Sequence, residues 1–351
     1  MTDTMRAVRL REVDGRVQLV LDADAPRPRP GAGEVLVAVR ACGLNQVDLL
    51  SRDGQTPQPI PLPHVSGTEV AGDVVEAGPG VAGWQPGDRV VIDPILHCGR
   101  CPSCAVGATH QCRTGRVFGV QTHGGYAEYA VAPAQSLMPL PASLTPLQAA
   151  SIAVTGPTAW HMLRRRADVR IGEEVLIVAA GSGIGVIGVQ IAKLAGARVI
   201  ATAGSDDKLR RARELGADEV VDHRDARWGD RVRDLTGGRG VDVVFEHVGR
   251  ATWAGSLRAL ARGGRLVTCG GHSGFDVDVN LWHLFVKEHE LIGSFAATRQ
   301  DFLDVMRLAA AGRIRPVIQQ TVPLSGVVAA QALLQERGVF GKLMIDPGLA
   351  G

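Results

Sequence analysis

From about residue 172 onward, apolar runs alternate with amphipathic segments at a regular spacing. The run at 174–180 is apolar almost throughout, as expected of a strand that is buried on both faces of a parallel sheet. Strands and helices that alternate at this spacing are typical of right-handed βαβ crossovers, and they predict an α/β fold with a doubly wound parallel sheet. The strands are predicted at 174–180, 198–203, 219–222, 241–248 and 265–271, and the helices between them at 186–196, 206–216, 230–238 and 251–264.

Residues 1–150 follow a different pattern. Short β-branched runs, such as 34–44, are separated by Gly and Pro, which predicts a β-rich domain. Near the end of the chain, two helical segments at 299–312 and 325–338 and a last strand at 341–346 do not continue the crossover rhythm. We expect this tail to return to the first domain and complete it.

The composition is that of an ordinary globular protein. The chain has 351 residues, which suits two domains, with 45% apolar and 21% charged residues. Its formal net charge of +2 includes no basic block, so nucleic acid is not an expected partner. The N-terminus lacks the apolar core of a signal peptide, and no unbroken apolar run reaches the length of a membrane span. We therefore expect a cytoplasmic protein with reduced thiols and no membrane partner.

Four of the six cysteines, Cys98, Cys101, Cys104 and Cys112, lie within fifteen positions. Cys-x-x-Cys spacing lets two thiolates of a tight turn reach one ion, and here two such steps overlap. Two disulfides or four unrelated thiols are the alternative interpretations, but a reducing compartment favours a metal. A zinc ion with four cysteine ligands has no open coordination position, so this zinc is predicted to be structural.

A glycine-rich turn, "AAGSGIGVIG" at 179–188, lies between the first predicted strand and helix of the second domain. Gly181, Gly183 and Gly185 lack Cβ atoms, so the backbone can turn tightly and approach a pyrophosphate at the helix N-terminus. A glycine string alone is a weak signal. Together with the surrounding strand–turn–helix–strand pattern it predicts a dinucleotide site.

The end of the second predicted strand bears on which dinucleotide binds. An NAD site uses a carboxylate there to hold the ribose 2′-hydroxyl, whereas this chain has Gly204 and Ser205, with Lys208 close behind. These residues leave room for a 2′-phosphate, so NADPH is predicted in preference to NADH. Asp206 and Asp207 argue for NADH, although carboxylates also suit the first turn of a helix.

These residues together resemble the zinc-containing medium-chain dehydrogenase/reductase superfamily over essentially the full length. The resemblance rests on the cysteine quartet, on "GTEVAG" followed by "GPGVAGWQPGDRV", on "AAGSGIG" and on "VFGKLMID". It implies a β-rich, partly open barrel of the GroES-like type, with a structural zinc lobe, as a catalytic domain formed by 1–157 and 296–351. It also implies a dinucleotide-binding Rossmann domain at 158–295, with the active site in the cleft between the two domains.

The resemblance breaks at the catalytic zinc of the alcohol dehydrogenases in this superfamily. Their Cys, His and Cys ligands correspond to Asn45, Thr68 and Val154 in this sequence. The glutamate beside the histidine is kept as Glu69, and Asp48, which supports the histidine ligand in zinc enzymes, is also present. Amide, hydroxyl and isopropyl groups do not make a zinc site of this kind. The chain is therefore similar to the quinone oxidoreductase branch, which shares "xxGxNxxD" and works without a catalytic metal.

This branch implies that NADPH delivers hydride to a quinone or to the β-carbon of an enone or enal. Asn45 is the candidate hydrogen-bond donor to the acceptor's oxygen, Thr68 is expected to line the same pocket, and Asp48 completes the catalytic set. Thr158 resembles the residue that packs behind the nicotinamide. The remaining positions that the resemblance assigns to the cofactor are Ala180, Ser182, Gly183, Ile184 and Gly185 at the pyrophosphate; Ser205, Lys208 and His223 at the 2′-phosphate; Val248, Gly249, Gly270 and Gly271 at the nicotinamide; and Lys342 at the phosphates.

Three alternatives remain open at this point. His64 could form a second metal site with Glu69 and Asp48, although a surface or cleft histidine is preferred. The chain could be an alcohol dehydrogenase with a rebuilt metal site, or an NADPH-binding protein that is not an enzyme. The superfamily also implies a homodimer or homotetramer, with the apolar segment 280–285 at the contact between subunits.

Overall fold

A computed structural model describes residues 3–56 and 58–350 of the chain. They fall into two compact units. The first contains the described residues of Met1–Val154, Thr298–Ala311 and Pro316–Gly351, and the second contains Thr155–Ala297 and Gly312–Arg315. The tail segments predicted at 299–312, 325–338 and 341–346 thus lie in the first unit, except for Gly312. The predicted domain boundaries, at 157/158 and 295/296, lie two or three residues from those of the units.

The first unit is built from antiparallel sheets. A three-stranded sheet has the order β2-β1-β4, a second sheet has the order β10-β6-β5-β3-β18-β17 with β9 added on β3, and β7 pairs with β8. Among the described strands of this unit, only β17 and β18 run parallel to each other. The strands are β1 Thr4–Val13, β2 Arg16–Pro26, β3 Glu34–Gly43, β4 His64–Val65, β5 Glu69–Ala77, β6 Arg89–Ile92, β7 Ile95–Leu96, β8 Arg116–Val117, β9 Tyr129–Pro133, β10 Leu137–Pro139, β17 Ile318–Val322 and β18 Lys342–Ile345.

Among the residues that the structure describes, the α-helices that accompany these sheets are α1 Gln46–Arg52, α2 Pro102–Ala105, α3 Pro146–Ala150, α10 Arg299–Ala310 and α11 Val327–Gln335. Strands β1, β3, β5, β6 and β9 contribute alternate side chains to one apolar core that includes Phe118 and Tyr126, both fully buried. The helices α10 and α11 and the strand β18 match the segments that the sequence predicts at 299–312, 325–338 and 341–346.

The second unit is a six-stranded parallel sheet in the order β13-β12-β11-β14-β15-β16. Its strands are β11 Glu174–Ile177, β12 Arg198–Ala203, β13 Glu219–Asp222, β14 Val241–Glu246, β15 Leu260–Thr268 and β16 Glu290–Gly293. Its helices are α4 Thr155–Trp160, which continues as a π-helical turn over His161–Arg166, α5 Gly183–Leu194, α6 Asp206–Glu214, α7 Trp228–Leu235, α8 Arg250–Ala259 and α9 Leu281–Val286. This is the doubly wound Rossmann order, with β11 and β14 at the centre of the sheet.

Several predicted elements end at different residues in the structure, and two of them show why. The strand predicted at 174–180 stops at Ile177, because the chain turns over Val178–Ser182 to enter α5. The helix predicted at 251–264 stops at Ala259, because Leu260 adopts an extended conformation and pairs with Val241 on β14. Leu260 is fully buried, so its apolar character reflects the sheet core and not a helix face. Among the described residues, no helix combines the length and hydropathy that crossing a bilayer would need.

Candidate active site and metal centre

The glycine turn of the second unit has the geometry of a phosphate-binding turn. Ser182 caps α5 through its hydroxyl oxygen, which accepts a hydrogen bond of 2.9 Å from the N–H of Gly185. A Cβ atom at Gly185 would lie 2.6 Å from the carbonyl oxygen of Ala179, so only glycine fits at this position. The N–H groups at the start of α5 would then carry a pyrophosphate, as the helix dipole favours.

The other predicted cofactor residues follow the carboxyl ends of neighbouring parallel strands. Ser205 caps α6 and accepts from the N–H of Lys208 at 3.3 Å. His223 follows β13, and its Nδ1 lies 3.1 Å from the hydroxyl of Thr202. Because the strands are parallel, these ends share one edge of the sheet, which is where open α/β sheets bind ligands. Ala180, Gly183 and Ile184 adjoin the glycine turn, Val248 and Gly249 follow β14, Gly270 and Gly271 follow β15, and Thr158 lies on α4.

The sequence prediction overlooked His247 at this edge. Its Nε2 lies 3.0 Å from the carbonyl oxygen of Val178, to which it donates, and 3.2 Å from the hydroxyl of Ser182. Burial lowers the pKa of His247 to about 3, so the imidazole is neutral and steadies the glycine turn without adding charge. The sequence placed His247 inside the strand predicted at 241–248, and a histidine near the end of this apolar run was the only available signal.

The polar residues predicted for catalysis converge where three strands of the first unit meet. β3 lies between β5 and β18, and its last residues pair with both. Asn45 follows β3 at the start of α1, Thr68 precedes β5, and Lys342 is the first residue of β18. The topology therefore brings together Asn45 and Lys342, which are 297 residues apart in the chain. Gly43 makes room for the side chain of Glu69, because a Cβ atom there would lie 2.2 Å from Oε2 of Glu69.

Lys342 is the centre of this polar cluster. Its Nζ donates to the carbonyl oxygen of Leu44 at 2.5 Å and to Oδ1 of Asn45 at 2.7 Å. It also lies 2.7 Å from Oε2 of Glu69. Nδ2 of Asn45 in turn donates to Oγ1 of Thr68 at 3.1 Å. The described contacts of Lys342 thus lie within the first unit, whereas the sequence assigned this residue to the cofactor phosphates.

Asp48 is hydrogen-bonded to the same cluster through the backbone of Asn45. Its Oδ2 accepts the backbone N–H of Asn45 at 2.7 Å and the phenol O–H of Tyr126 at 2.8 Å. Asp48 is 1% exposed, and burial raises its pKa to about 6, although these two donors oppose that shift. Tyr126 was not singled out from the sequence, because nothing marks a tyrosine 78 residues away as a partner.

The residues at the catalytic zinc positions do not form a zinc ligand set. Asn45 and Thr68 are hydrogen-bonded to each other, and Oδ1 of Asn45 also accepts a hydrogen bond from the ammonium of Lys342. Val154 contributes only its backbone N–H, which donates to Oε1 of Glu69 at 2.9 Å. Protein zinc sites use thiolate, imidazole and carboxylate ligands, and one carboxylate already paired with Lys342 does not replace three ligands.

His64 does not join Asp48 and Glu69 in a second cluster of ligands. Its Nε2 lies 3.2 Å from the carbonyl oxygen of Gly119, and its ring packs against His123 with 5.4 Å between the centroids. Among residues 3–56 and 58–350, the cysteine quartet is the one group of three or more His, Cys, Asp or Glu ligand atoms that come close enough to share an ion. In this structure the side chains of His64, Asp48 and Glu69 are therefore not grouped around one point.

The four cysteines themselves fit a tetrahedral zinc site. Their sulfur atoms all lie within 4.8 Å of one another, with Sγ of Cys101 3.5 Å from that of Cys104 and 3.9 Å from that of Cys112. A tetrahedron with Zn–S bonds of about 2.3 Å has S–S edges of about 3.8 Å. A disulfide would need about 2.05 Å, and all four are free thiols.

The local backbone prepares this cysteine lobe for a metal. β7 and β8 pair on either side of it and close the loop at its base. The N–H of Cys98 donates to Sγ of Cys112, and the N–H of Cys101 donates to Sγ of Cys98, both at 3.3 Å. Such N–H···S bonds stabilise thiolates, the form that binds zinc. The quartet could therefore hold one zinc ion, in a lobe apart from the Lys342 cluster.

Family models match both parts of the chain. The alcohol dehydrogenase GroES-like domain matches residues 31–142, and the zinc-binding dehydrogenase model matches residues 183–311. These matches give the first unit its GroES-like assignment and agree with the Rossmann topology of the second.

Known relatives match more than nine tenths of the chain. A quinone oxidoreductase of Rattus norvegicus is 31% identical over 348 residues, which cover 97% of this chain and 97% of the relative. A crotonyl-CoA reductase of Streptomyces collinus is 32% identical over 361 residues, which cover 92% of this chain and 80% of the relative. The crystal structure of an NAD-dependent alcohol dehydrogenase has 43% identity and a TM-score of 0.92, and the match covers 98% of this chain and 100% of that one.

These matches agree with the topology, the glycine turn and the cysteine lobe. Each of the three relatives is named as an oxidoreductase, a reductase or a dehydrogenase. The chain therefore belongs to the zinc-containing medium-chain dehydrogenase/reductase superfamily and is an NAD(P)H-dependent oxidoreductase.

Proposed function

We propose that this protein reduces a quinone or a conjugated enone or enal with NADPH, without a catalytic zinc. The observation that carries the proposal is the hydrogen bonding of Asn45. Its Oδ1 accepts a hydrogen bond from the ammonium of Lys342, and its Nδ2 donates one to the hydroxyl of Thr68. The side chain of Asn45 is therefore already engaged at a position where a catalytic zinc would need a ligand. The kinship to a quinone oxidoreductase and to a crotonyl-CoA reductase adds support.

Hydrogen-bond donors that are held in place suit quinones, enones and enals, because the negative charge produced by hydride transfer develops on the oxygen of these substrates. Bound NADPH supplies a hydride, the acceptor takes its electron pair, and one proton from water completes the hydroquinone or the saturated carbonyl product. Asn45 is half-buried, and its amide nitrogen carries a second N–H beyond the one given to Thr68. In our proposal this N–H meets the acceptor's oxygen and stabilises the charge, as an oxyanion hole does. Thr68 and Asp48 hold Asn45 in place.

We propose NADPH as the cofactor because the end of β12 has no acidic side chain. Ala203, Gly204 and Ser205 stand there, and Ser205 turns its hydroxyl into the cap of α6. The first carboxylate that follows in the chain, Asp206, is 97% exposed and lies 3.7 Å from the guanidinium of Arg224. A 2′-phosphate would meet a hydroxyl and cations at this edge, and the residues present fit it better than a bare 2′-hydroxyl.

The deciding experiment combines metal counting with turnover. We expect one zinc per chain, and NADPH oxidation by a quinone or an enone. Asn45→Ala should lower kcat about 100-fold, as loss of an oxyanion donor does, with little change in NADPH affinity. Gln300→Ala, which alters an exposed amide on α10, is the matched control and should behave like the wild type.

The same experiment tests the alternative that the protein is an alcohol dehydrogenase. The 43% identity to an NAD-dependent alcohol dehydrogenase supports this alternative. Two zincs per chain, together with oxidation of alcohols, would overturn the proposal in its favour. Tight NADPH binding with no turnover across quinones, enones, aldehydes and ketones would instead indicate a binding protein.

We further propose a cytoplasmic homodimer or homotetramer. The six cysteines are free thiols, as a reducing compartment keeps them. In the described chain, β16 is the outer strand of its sheet, and nearby Leu281, Trp282 and Phe285 are at least 60% exposed. A second copy of the chain would cover this apolar surface. Light scattering on the purified protein, with Trp282→Glu as the disrupting variant, tests the assignment.

A further inference from the structure

Lys342 is an unusual residue in this chain. The sequence contains four lysines among 38 Lys and Arg residues, namely Lys193, Lys208, Lys287 and Lys342. Lys342 is buried, with 4% of its side chain exposed. Burying an ammonium costs several kcal/mol unless it is paired and hydrogen-bonded, so its place in the fold needs a specific reason.

The ammonium of Lys342 makes two hydrogen bonds and one ion pair. Its Nζ faces three oxygens, on Leu44, Asn45 and Glu69, at 2.5, 2.7 and 2.7 Å. An ammonium has three N–H donors and no acceptor. A compact ammonium can face three converging oxygens, whereas the planar fork of arginine cannot. This geometry gives a reason for lysine here in a chain that otherwise uses arginine.

These contacts fix the direction of the neighbouring hydrogen bonds. Because the ammonium can only donate, the atom of Asn45 that faces it must be Oδ1 and not Nδ2. Nδ2 therefore points away and donates to Oγ1 of Thr68 at 3.1 Å. Since Thr68 accepts this bond, its own O–H proton is free to be donated elsewhere. If the amide were reversed, Asn45 would present its carbonyl oxygen where the oxygen of the substrate needs a hydrogen-bond donor.

We propose that Lys342 is a positioning residue, which locks the amide of Asn45 so that Asn45 and Thr68 act as donors to the developing oxyanion. The inference rests on the proposed reduction of a quinone or conjugated carbonyl. Lys342 supplies the orientation and a nearby positive charge, and it does so without touching the acceptor. The competing role is direct binding of the cofactor phosphates, which would require Nζ to leave its three oxygens.

The orientation can be read directly, because the chain has only two asparagines, Asn45 and Asn280. Selective ¹⁵N-asparagine labelling therefore gives two side-chain amide signals in the full-length protein, and Asn45→Ala assigns them. In Lys342→Met we expect the Asn45 signal to move and its protons to exchange faster with solvent. The Asn280 signal, from the cap of α9, should stay in place. Lys193→Met removes a half-exposed lysine paired with Asp218 and should leave both signals unchanged.

Kinetics then test whether the orientation matters for the reaction. Lys342→Met should lower kcat about 10- to 100-fold at an unchanged KM for NADPH. In Asn45→Ala, the same change should cost little more, because Lys342 acts through Asn45. If Lys342→Met does not fold, Lys342→Met with Glu69→Gln removes both buried charges and is used in its place.

Each remaining outcome decides against one of the two proposals. A higher KM for NADPH at an unchanged kcat, or an unmoved Asn45 signal, would overturn the positioning role. Independent losses of kcat in the double variant would also overturn it. A wild type that oxidises no NADPH with quinones or enones would defeat the proposed function, while the amide signals would still report whether Lys342 orients Asn45.

Discussion

The ammonium of Lys342 lies 2.7 Å from a carboxylate oxygen of Glu69, and neither side chain is more than 4% exposed. A pair of this kind gains little over apolar residues, because both charges lose their hydration. It is nevertheless costly to break, because one partner is then left buried and uncompensated. The pair therefore makes the cluster around Asn45 intolerant of single charge changes.

Glu69→Gln should lower the free energy of unfolding by about 3 to 5 kcal/mol, since it leaves the ammonium of Lys342 without a counter-charge. Adding Lys342→Met to that variant should restore part of the loss. Urea unfolding of the wild type, both single variants and the double variant measures this coupling. Strictly additive losses would mean that the two charges do not interact.

Cys101→Ser should abolish zinc binding at the cysteine lobe, because three thiolates and a hydroxyl form a much weaker site. Metal analysis should fall from one zinc per chain to almost none, and the lobe should become sensitive to proteolysis. Cys269→Ser, which changes a thiol outside the quartet, is the control for zinc content. Full zinc in the Cys101 variant would show that the quartet is not the site.

Ala179 has a φ of +50°, in the left-handed region where a Cβ atom is strained. Ala179→Gly should therefore raise the free energy of unfolding, by up to about 1 kcal/mol. Its neighbour Ala180 is fully buried and is not among the residues with positive φ. Ala180→Gly should lower stability by about 1 kcal/mol. Thermal unfolding of the two variants compares them, and a loss in both would argue against strain at Ala179.

Gly204→Asp should shift the cofactor preference from NADPH towards NADH. The added carboxylate would stand at the end of β12, where it repels a 2′-phosphate and accepts from a 2′-hydroxyl. We expect the ratio of kcat/KM for NADPH to that for NADH to fall at least about 10-fold. The new Cβ atom would lie 3.0 Å from Nε2 of His223. Equal losses with both cofactors would therefore indicate a packing defect and not a change of specificity.

Asp48 should make stability depend on pH. Burial raises its pKa from 3.8 to about 6, so unfolding releases a proton between these values, and stability falls as pH rises through them. Relative to Asp48→Asn, the wild type should lose about 3 kcal/mol between pH 4 and pH 6.5. Urea titrations of both proteins across this range measure the difference. A constant difference would mean that Asp48 titrates normally.

The second unit could be predicted closely from the sequence, because a buried parallel strand and an amphipathic helix leave distinct patterns. β12 and β13 match the predicted ranges exactly. The errors occur at ends where apolar residues change their role, as at Val178, which is apolar but lies in a turn, and at Leu260, which begins a strand. Periodicity does not detect such changes, since burial is the same on both sides of the boundary.

The candidate site was predicted less fully. Local motifs indicated Asn45, Thr68 and the cysteine quartet, and the structure brings Asn45 and Thr68 together. They did not indicate that Lys342 bonds to Asn45, or that Tyr126 bonds to Asp48, because these contacts join strands that are distant in the chain. Long-range pairing of β3 with β5 and β18 creates the cluster, and no window of sequence contains it.

That pairing also sets an order of events during synthesis. The second unit is almost continuous in the chain, so it can fold once its last strand leaves the ribosome. β3 must wait for β18, some 300 residues later, which at about 5 to 20 residues per second is roughly 15 to 60 s. Until then the edge of β3 that pairs with β18 is open, and Asn45 and Glu69 lack the ammonium of Lys342. Nascent chains are therefore most exposed to misassembly in this interval, and truncation before Lys342 should trap them there.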